Sequence, residues 1–310
     1  MPEEVISIQN VRRSFGTTRV FSDVSLALGT SSVYGLVGLN GAGKTTLLRI
    51  LLGLLKPDQG QCRVLGDDPW RHEPAYYRKL GVVLEHNGFS GNLSACQNME
   101  FFARARGLDR QALDTYLAGR WSGVAALEKR QKVKYFSRGE KMQCALCRAF
   151  MGSPPVYFLD EPVVALDVKA YDHFCGLVRD AREGGATVII SSHQLDAIED
   201  LCDTVGILEN GTLTPLAETG AGGTPWLVRC ENRPEYGAAI ADAAGAKPAY
   251  ARGAWRFTVP PGDREAVPRL VAKLAGMGCA IEEVRENSDG LRESIRRHYG
   301  ASGSTERGGR

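Results

Sequence analysis

Residues 38–46 read Gly-Leu-Asn-Gly-Ala-Gly-Lys-Thr-Thr, which satisfies G-x-x-x-x-G-K-[ST] in full. The chemistry of that pattern is a grip on phosphate. Its glycines let successive backbone N–H groups curl round an anion, and the N-terminus of a following helix adds a favourable dipole. Lys44 then reaches the β- and γ-phosphates, and Thr45 offers a hydroxyl to Mg²⁺. A second constellation stands at Val156-Tyr157-Phe158-Leu159-Asp160-Glu161-Pro162. An apolar run ending in a carboxylate aims Asp160 at the coordination shell of a metal, and Glu161 is placed to polarise a water. Taken singly, a Gly-rich turn and two acids at a strand end are ordinary features. Together they point to a nucleotide site.

Such a site needs rigid elements behind it. Ser32–Val37 is a compact β-rich run feeding the glycines, and LLRILLGLL after them reads as a buried helix ended by Lys56-Pro57-Asp58. Residues 4–28 alternate apolar and polar around Gly16-Thr17, the pattern of a half-buried antiparallel hairpin, and 60–66 return as a strand. From Ser94 to about Arg148 the periodicity is helical throughout. Strands at 156–159 and 187–191 alternate with helices at about 168–184 and 194–201, the βα rhythm of a parallel sheet. Residues 207–213 read as a hairpin closed by Asn210-Gly211. After the Gly-rich break at 219–224 the order becomes β-α-β-β-α-β, which suits a small ferredoxin-like unit. A last helix is expected at 291–299, followed by a disordered tail at 300–310.

Composition narrows the classes. With 43% apolar and 24% charged residues the chain falls among ordinary globular proteins, which excludes a fibrous or disordered one. Thirty-eight basic against thirty-six acidic residues leave a net charge of +2, no footprint for nucleic acid. No apolar run approaches the ~18 residues of a membrane span. The acidic start Met1-Pro2-Glu3-Glu4 lacks the features of a leader, so a cytosolic chain is expected. The eight cysteines are scattered through apolar segments. Cys144 and Cys147 form a C-x-x-C inside a helical run and are read as packed thiols, because no second pair completes a zinc site.

Over residues 4–218 the chain resembles the ATP-binding subunit of an ABC transporter. Besides the two motifs above, Phe136-Ser137-Arg138-Gly139-Glu140 stands where that family carries its signature, usually Leu-Ser-Gly-Gly-Gln. The resemblance implies a P-loop NTPase fold: a RecA-like parallel sheet, an antiparallel β subdomain and an inserted α-helical subdomain at about 87–150. It further implies an ATPase that uses ATP and Mg²⁺. Gly38, Leu39, Asn40, Gly41, Ala42, Gly43, Lys44, Thr45 and Thr46 would hold the nucleotide, and Phe15 would stack on adenine. Thr45, Asp160 and Glu85 would hold the metal, while Glu161, His193 and Lys44 would carry catalysis. Ser137, Arg138, Gly139 and Glu140 would meet ATP on the opposite subunit, and Asp167 would lie in the dimer-contact loop.

Several positions depart from the family pattern. Glu85 stands where glutamine is usual and adds negative charge beside the phosphates. Arg138 replaces a glycine, a form associated with drug- and polysaccharide-type exporters, and Val163-Val164 are bulkier than usual. The resemblance implies two ATPase subunits closing head to tail, either two copies of this chain or a pair with a homologue. Their partner would be a separate transmembrane permease, so that this chain sits on the cytoplasmic face and meets the membrane only through the permease. A catalytically impaired subunit of an asymmetric pair and a soluble, non-transport ABC ATPase are the alternative readings. Residues 225–299 are expected to form an accessory regulatory or dimerisation domain.

Overall fold

The computed structural model describes residues 4–71, 73–85, 88–194, 198, 201–216, 224–244, 248–251, 253–259 and 265–286. The chain divides into two units between Thr214 and Pro215. That division falls shortly before the Gly-rich segment 219–224, whose first five residues lie outside the described ones.

The first unit is built on one nine-stranded sheet. Its strands are β1 (Glu4–Phe15), β2 (Thr18–Gly29), β3 (Val33–Val37), β4 (Gln59–Val64), β5 (Leu80–Val83), β6 (Val156–Asp160), β7 (Thr187–Ser192), β8 (Thr204–Glu209) and β9 (Thr212–Leu216), in the order β4-β1-β2-β9-β8-β3-β7-β6-β5. β1 pairs antiparallel with β2 and β4, giving the expected hairpin and its returning strand. β8, β3, β7, β6 and β5 run parallel. The antiparallel part joins the parallel core where Asp23 of β2 meets Thr212 of β9. β3, β6 and β7 are buried at every residue, as strands covered on both faces must be. Asn210 and Gly211 both take positive φ in the turn from β8 to β9, the geometry of a tight hairpin.

The helices are α1 (Lys44–Leu51), α2 (Pro74–Arg78), α3 (Ala95–Ala105), α4 (Arg110–Gly119), α5 (Ala125–Glu128), α6 (Arg138–Phe150) and α7 (Val168–Glu183). The stretch expected to be helical throughout from 94 to 148 is broken into four helices. Ser94, Asp109 and Ser137 cap three of them by accepting from the backbone N–H groups of Gln97, Ala112 and Glu140. Two elements have no counterpart in the sequence reading: the short helix α2 and the edge strand β5. The expected helix at 194–201 lies largely outside the described residues.

β5 is fastened to the helices by two arginines. Arg106 of α3 donates to Leu80 O at 2.7 Å, and Arg148 of α6 donates to Val82 O at 2.7 Å. Burial, with Arg106 close by, pulls the Arg148 guanidinium down to about 10. Gly81 lets α6 lie against the strand. A Cβ there would stand 2.3 Å from the Tyr157 ring and 2.6 Å from Ala149 O. Cys144 and Cys147 are buried free thiols on α6; burial pushes Cys144 up to about 12 and raises Cys147 as well.

The second unit contains β10 (Thr224–Arg229), α8 (Pro234–Ala244), β11 (Ala249–Ala251), β12 (Ala254–Val259), α9 (Ala266–Gly276) and β13 (Glu283–Glu286). Its strands lie in the order β11-β12-β10-β13, all antiparallel, the ferredoxin-like arrangement. Val228, Tyr236, Ile240, Trp255, Phe257, Leu270 and Leu274 form a core of its own. The expected helix at 291–299 and tail at 300–310 lie outside the described residues.

Candidate active site

Four parallel strands finish at one level. Val37 of β3 pairs with Ser192 of β7, Asp160 of β6 with Ser191 of β7, and Val83 of β5 with Leu159 of β6. Open parallel sheets bind ligands beyond the carboxyl ends of their strands, and here each strand runs into polar residues at that end. β3 leads into the glycines and α1, and β5 leads into Glu85. β6 ends on Asp160-Glu161 and β7 on Ser192-His193.

The glycines act first. Gly43 caps α1 with φ 105°, and a Cβ on it would stand 2.8 Å from the side chains of Val20 and Phe21. Glycine therefore supplies both the left-handed turn and the close approach to β2. α1 is held beneath by Leu47, Leu48, Ile50 and Leu51, each essentially buried; burial of each side chain stabilises by about 1.5–3 kcal/mol.

Lys44 is 6% exposed and is placed by three acceptors. Its Nζ donates to Gly38 O at 2.7 Å and Leu39 O at 3.2 Å, and lies 3.3 Å from Glu161 Oε1. Glu161 Oε2 in turn faces His193 Nδ1 at 2.8 Å. Because a carboxylate only accepts, the proton of that bond lies on Nδ1, leaving Nε2 as the nitrogen available to a ligand. Beside this row, Thr45 Oγ1 donates to Asp160 Oδ2 at 2.6 Å and Ser191 Oγ to Asp160 Oδ1 at 2.5 Å. Glu161 adopts φ 50°, a left-handed conformation that costs a non-glycine residue about 1 kcal/mol. It is held there by its N–H, which donates to Ser191 O and Oγ, both at 3.1 Å. Backbone strain of this kind gathers at functional sites.

These groups open on a cleft of about 810 Å³. It is lined by Asn40, Gly41, Gly43, Lys44, Thr45 and Thr46 of the phosphate loop and α1, by Asp160, Glu161, Val164 and His193, and by Glu85, Arg138, Lys141 and Met142. Thus Lys44, Thr45, Asp160, Glu161, His193 and Glu85 come together, and Arg138 joins them. Phe15 does not line the cleft; it stands 48% exposed at the end of β1, with the Arg13 guanidinium 4.6 Å above its ring. Leu39 is 60% exposed.

The remaining residues of the signature face the protein itself. Ser137 and Glu140 form a reciprocal cap: Glu140 N–H donates to Ser137 Oγ at 3.2 Å, and Ser137 N–H to Glu140 Oε2 at 2.8 Å. Lys129 pairs with Glu140 and, with that cap, holds its carboxyl below the usual range. Gly139 packs against Ala165, whose carbonyl would lie 2.5 Å from a Cβ there. The Asp167 carboxylate caps α7 by accepting from Ala170 N–H at 2.8 Å.

Three contributors escaped the sequence reading: Ser191, which satisfies the inner oxygen of Asp160, and Lys141 and Met142, which line the cleft. The hydroxyl-rich end of β7, Ser191-Ser192, was the available sign for the first, since that strand neighbours β6. Lys141 lies one turn beyond Arg138 on the same face of α6.

A family profile described as "ABC transporter" matches residues 21–164. The chain is 33% identical over 215 residues to the bacitracin transport ATP-binding protein BcrA of Enterococcus faecalis, covering 68% of each chain. It is 35% identical over 214 residues to the Nod factor export ATP-binding protein I of Burkholderia lata, covering 68% of this chain and 70% of that one. Among solved structures, an ATP-binding subunit of an ABC transporter matches with a TM-score of 0.63 and 26% identity, over 67% of this chain and 88% of the other. With that shared fold and the phosphate loop at the carboxyl end of β3, the chain belongs to the ABC transporter family as an ATP-binding subunit.

Proposed function

We propose that ATP hydrolysis by this chain runs at the ends of β3, β6 and β7, with Glu161 orienting the attacking water and His193 fixing Glu161. The observation that carries this reading is the row Lys44–Glu161–His193 beside the hydroxyl-held Asp160. In phosphoryl transfer the protein contributes positioning and charge stabilisation, and this row supplies both. Lys44 neutralises charge on the outer phosphates. The backbone N–H groups of residues 40–46 take the inner ones.

The donor set also fits Mg²⁺, a hard cation that takes oxygen ligands and is held through few carboxylates plus substrate phosphates. Thr45 and Asp160 would hold it, with Glu85 also lining the cleft. Among the described residues no group of three acids, histidines or cysteines forms a dedicated cage. When bound, the ion would neutralise phosphate charge. Asp160, aligned by the hydroxyls of Thr45 and Ser191, is ready for that task.

Two such sites would form as two ATPase subunits close head to tail, the start of α6 at Ser137–Glu140 facing the ATP held by the opposite subunit. Closure would drive a separate membrane permease. Among the described residues no helix is long and apolar enough to cross a membrane. The name of one relative, the Nod factor export ATP-binding protein, supports export as the direction, with this chain on the cytoplasmic face. Residues 225–286 would stabilise or regulate the dimer.

Glu161→Gln tests the catalytic assignment. The expected result is ATP binding within threefold of wild type and turnover reduced by roughly a hundredfold or more. Equal turnover would favour a binding-only subunit.

A further inference from the structure

The second unit brings together two thiols that are far apart in its chain. Cys230 follows β10 and Cys279 follows α9; they are 5% and 8% exposed, both free, and in hydrogen-bond contact with each other. The backbone is pinned around each. Tyr250 Oη donates to Cys230 O at 3.1 Å, and Trp255 Nε1 to Glu231 O at 3.3 Å. Cys279 N–H donates to Leu274 O at 3.0 Å, and Glu282 N–H to Arg229 O at 2.9 Å, which draws the Cys279 segment alongside the end of β10. Two sulfurs in contact on held backbones need little side-chain movement to bond.

We propose that Cys230 and Cys279 are a redox pair, which a peroxide converts to a disulfide that closes the second unit. Burial and the neighbouring Cys279 push the Cys230 thiol up to about 12, with Glu231 and Glu282 adding to the shift. Cys230 is therefore a poor first attacker at neutral pH, and the reaction starts at Cys279. Its thiolate attacks one peroxide oxygen; the O–O bond breaks, and the departing hydroxide takes up a proton as water. Cys230 then attacks the sulfur of the sulfenic acid so formed. The S–S bond forms, the S–O bond breaks, and a second water leaves with the Cys230 proton. Two thiols have then given two electrons and two protons to one peroxide. The link encloses α8, β11, β12 and α9 in a single loop, leaving only β10 and β13 outside it. Cys144 and Cys147, both 0% exposed within α6, lie out of a peroxide's reach and provide an internal control.

The test treats the reduced full-length chain with hydrogen peroxide, blocks remaining thiols by alkylation in denaturant, and maps the digest by mass spectrometry without reductant. A linked Cys230–Cys279 peptide should appear while Cys144 and Cys147 are recovered alkylated. The melting transition of the second unit should rise by about 5 °C or more and return on adding dithiothreitol, because a closed loop restrains the unfolded chain. In Cys230→Ser, dimedone should trap a sulfenic acid at Cys279. Absence of the linked peptide while other thiols of the chain are oxidised overturns the proposal. So does a link that leaves the transition unmoved, or passage of Cys279 to sulfinic acid as fast in the wild type as in Cys230→Ser.

Discussion

The two units spend their polar side chains differently. In the first, Asp160 and Lys44 are nearly buried and each is held by named donors or acceptors, and Glu161 is kept in a left-handed backbone. In the second, the pairs Arg229–Glu283 and Lys273–Asp242 lie at the surface, while the interior is Trp255, Phe257, Tyr236 and aliphatic residues. Exposed pairs of that kind contribute little to stability. Cooperative packing alone accounts for the second unit, whereas the first carries strain and buried charge that packing would not select. The difference marks where the chemistry resides.

The largest effect that would sharpen this contrast lies in the second unit. Trp255→Ala removes a core ring packed on α8 and should cost that unit about 3–5 kcal/mol. A thermal melt should show the second unit's transition falling while ATP turnover by the first unit changes less than twofold. Loss of turnover along with the transition would break the separation.

Gly81→Ala should come next, at about 2–3 kcal/mol, because its methyl meets the Tyr157 ring and Ala149 O. Here stability and turnover should fall together, since β5 leads to Glu85 and α6 begins at the signature. A stable variant with unchanged turnover would show that β5 and α6 are not coupled to the site.

Ser191→Ala leaves Asp160 Oδ1 without its donor and should cost about 1–2 kcal/mol, with weaker metal dependence of ATP hydrolysis. An unaltered metal titration would mean that Thr45 alone aligns the carboxylate. The smallest effect concerns the thiols: at pH 8 Cys144 and Cys147 should resist alkylation in the folded chain and react on unfolding, as mass spectrometry would show. Rapid labelling would contradict their packing in α6.

Much of the site was legible in the sequence because its motifs are contiguous and sit at strand ends. Residues 38–46 carry their own glycines, and Asp160 and His193 each close an apolar run on neighbouring strands. What escaped was set by distant partners. β5 is four residues long with no turn signal of its own, and its outer carbonyls are satisfied by Arg106 and Arg148 from helices far along the chain. The helical stretch read as continuous because apolar periodicity persists across the breaks, while the caps at Ser94, Asp109 and Ser137 that divide it are single polar residues. Phe15, assigned by resemblance, stands exposed at a strand end, a placement that its residue type alone did not indicate.

One cleft at the ends of β3, β6 and β7 is assigned here to the nucleotide, with Lys44 as its principal cation. Equilibrium binding of ATP to the full-length Lys44→Ala chain tests that assignment most directly. Affinity should fall by roughly a hundredfold or more, because a charge-assisted phosphate contact is lost in a nearly buried position. Affinity within threefold of wild type would contradict it.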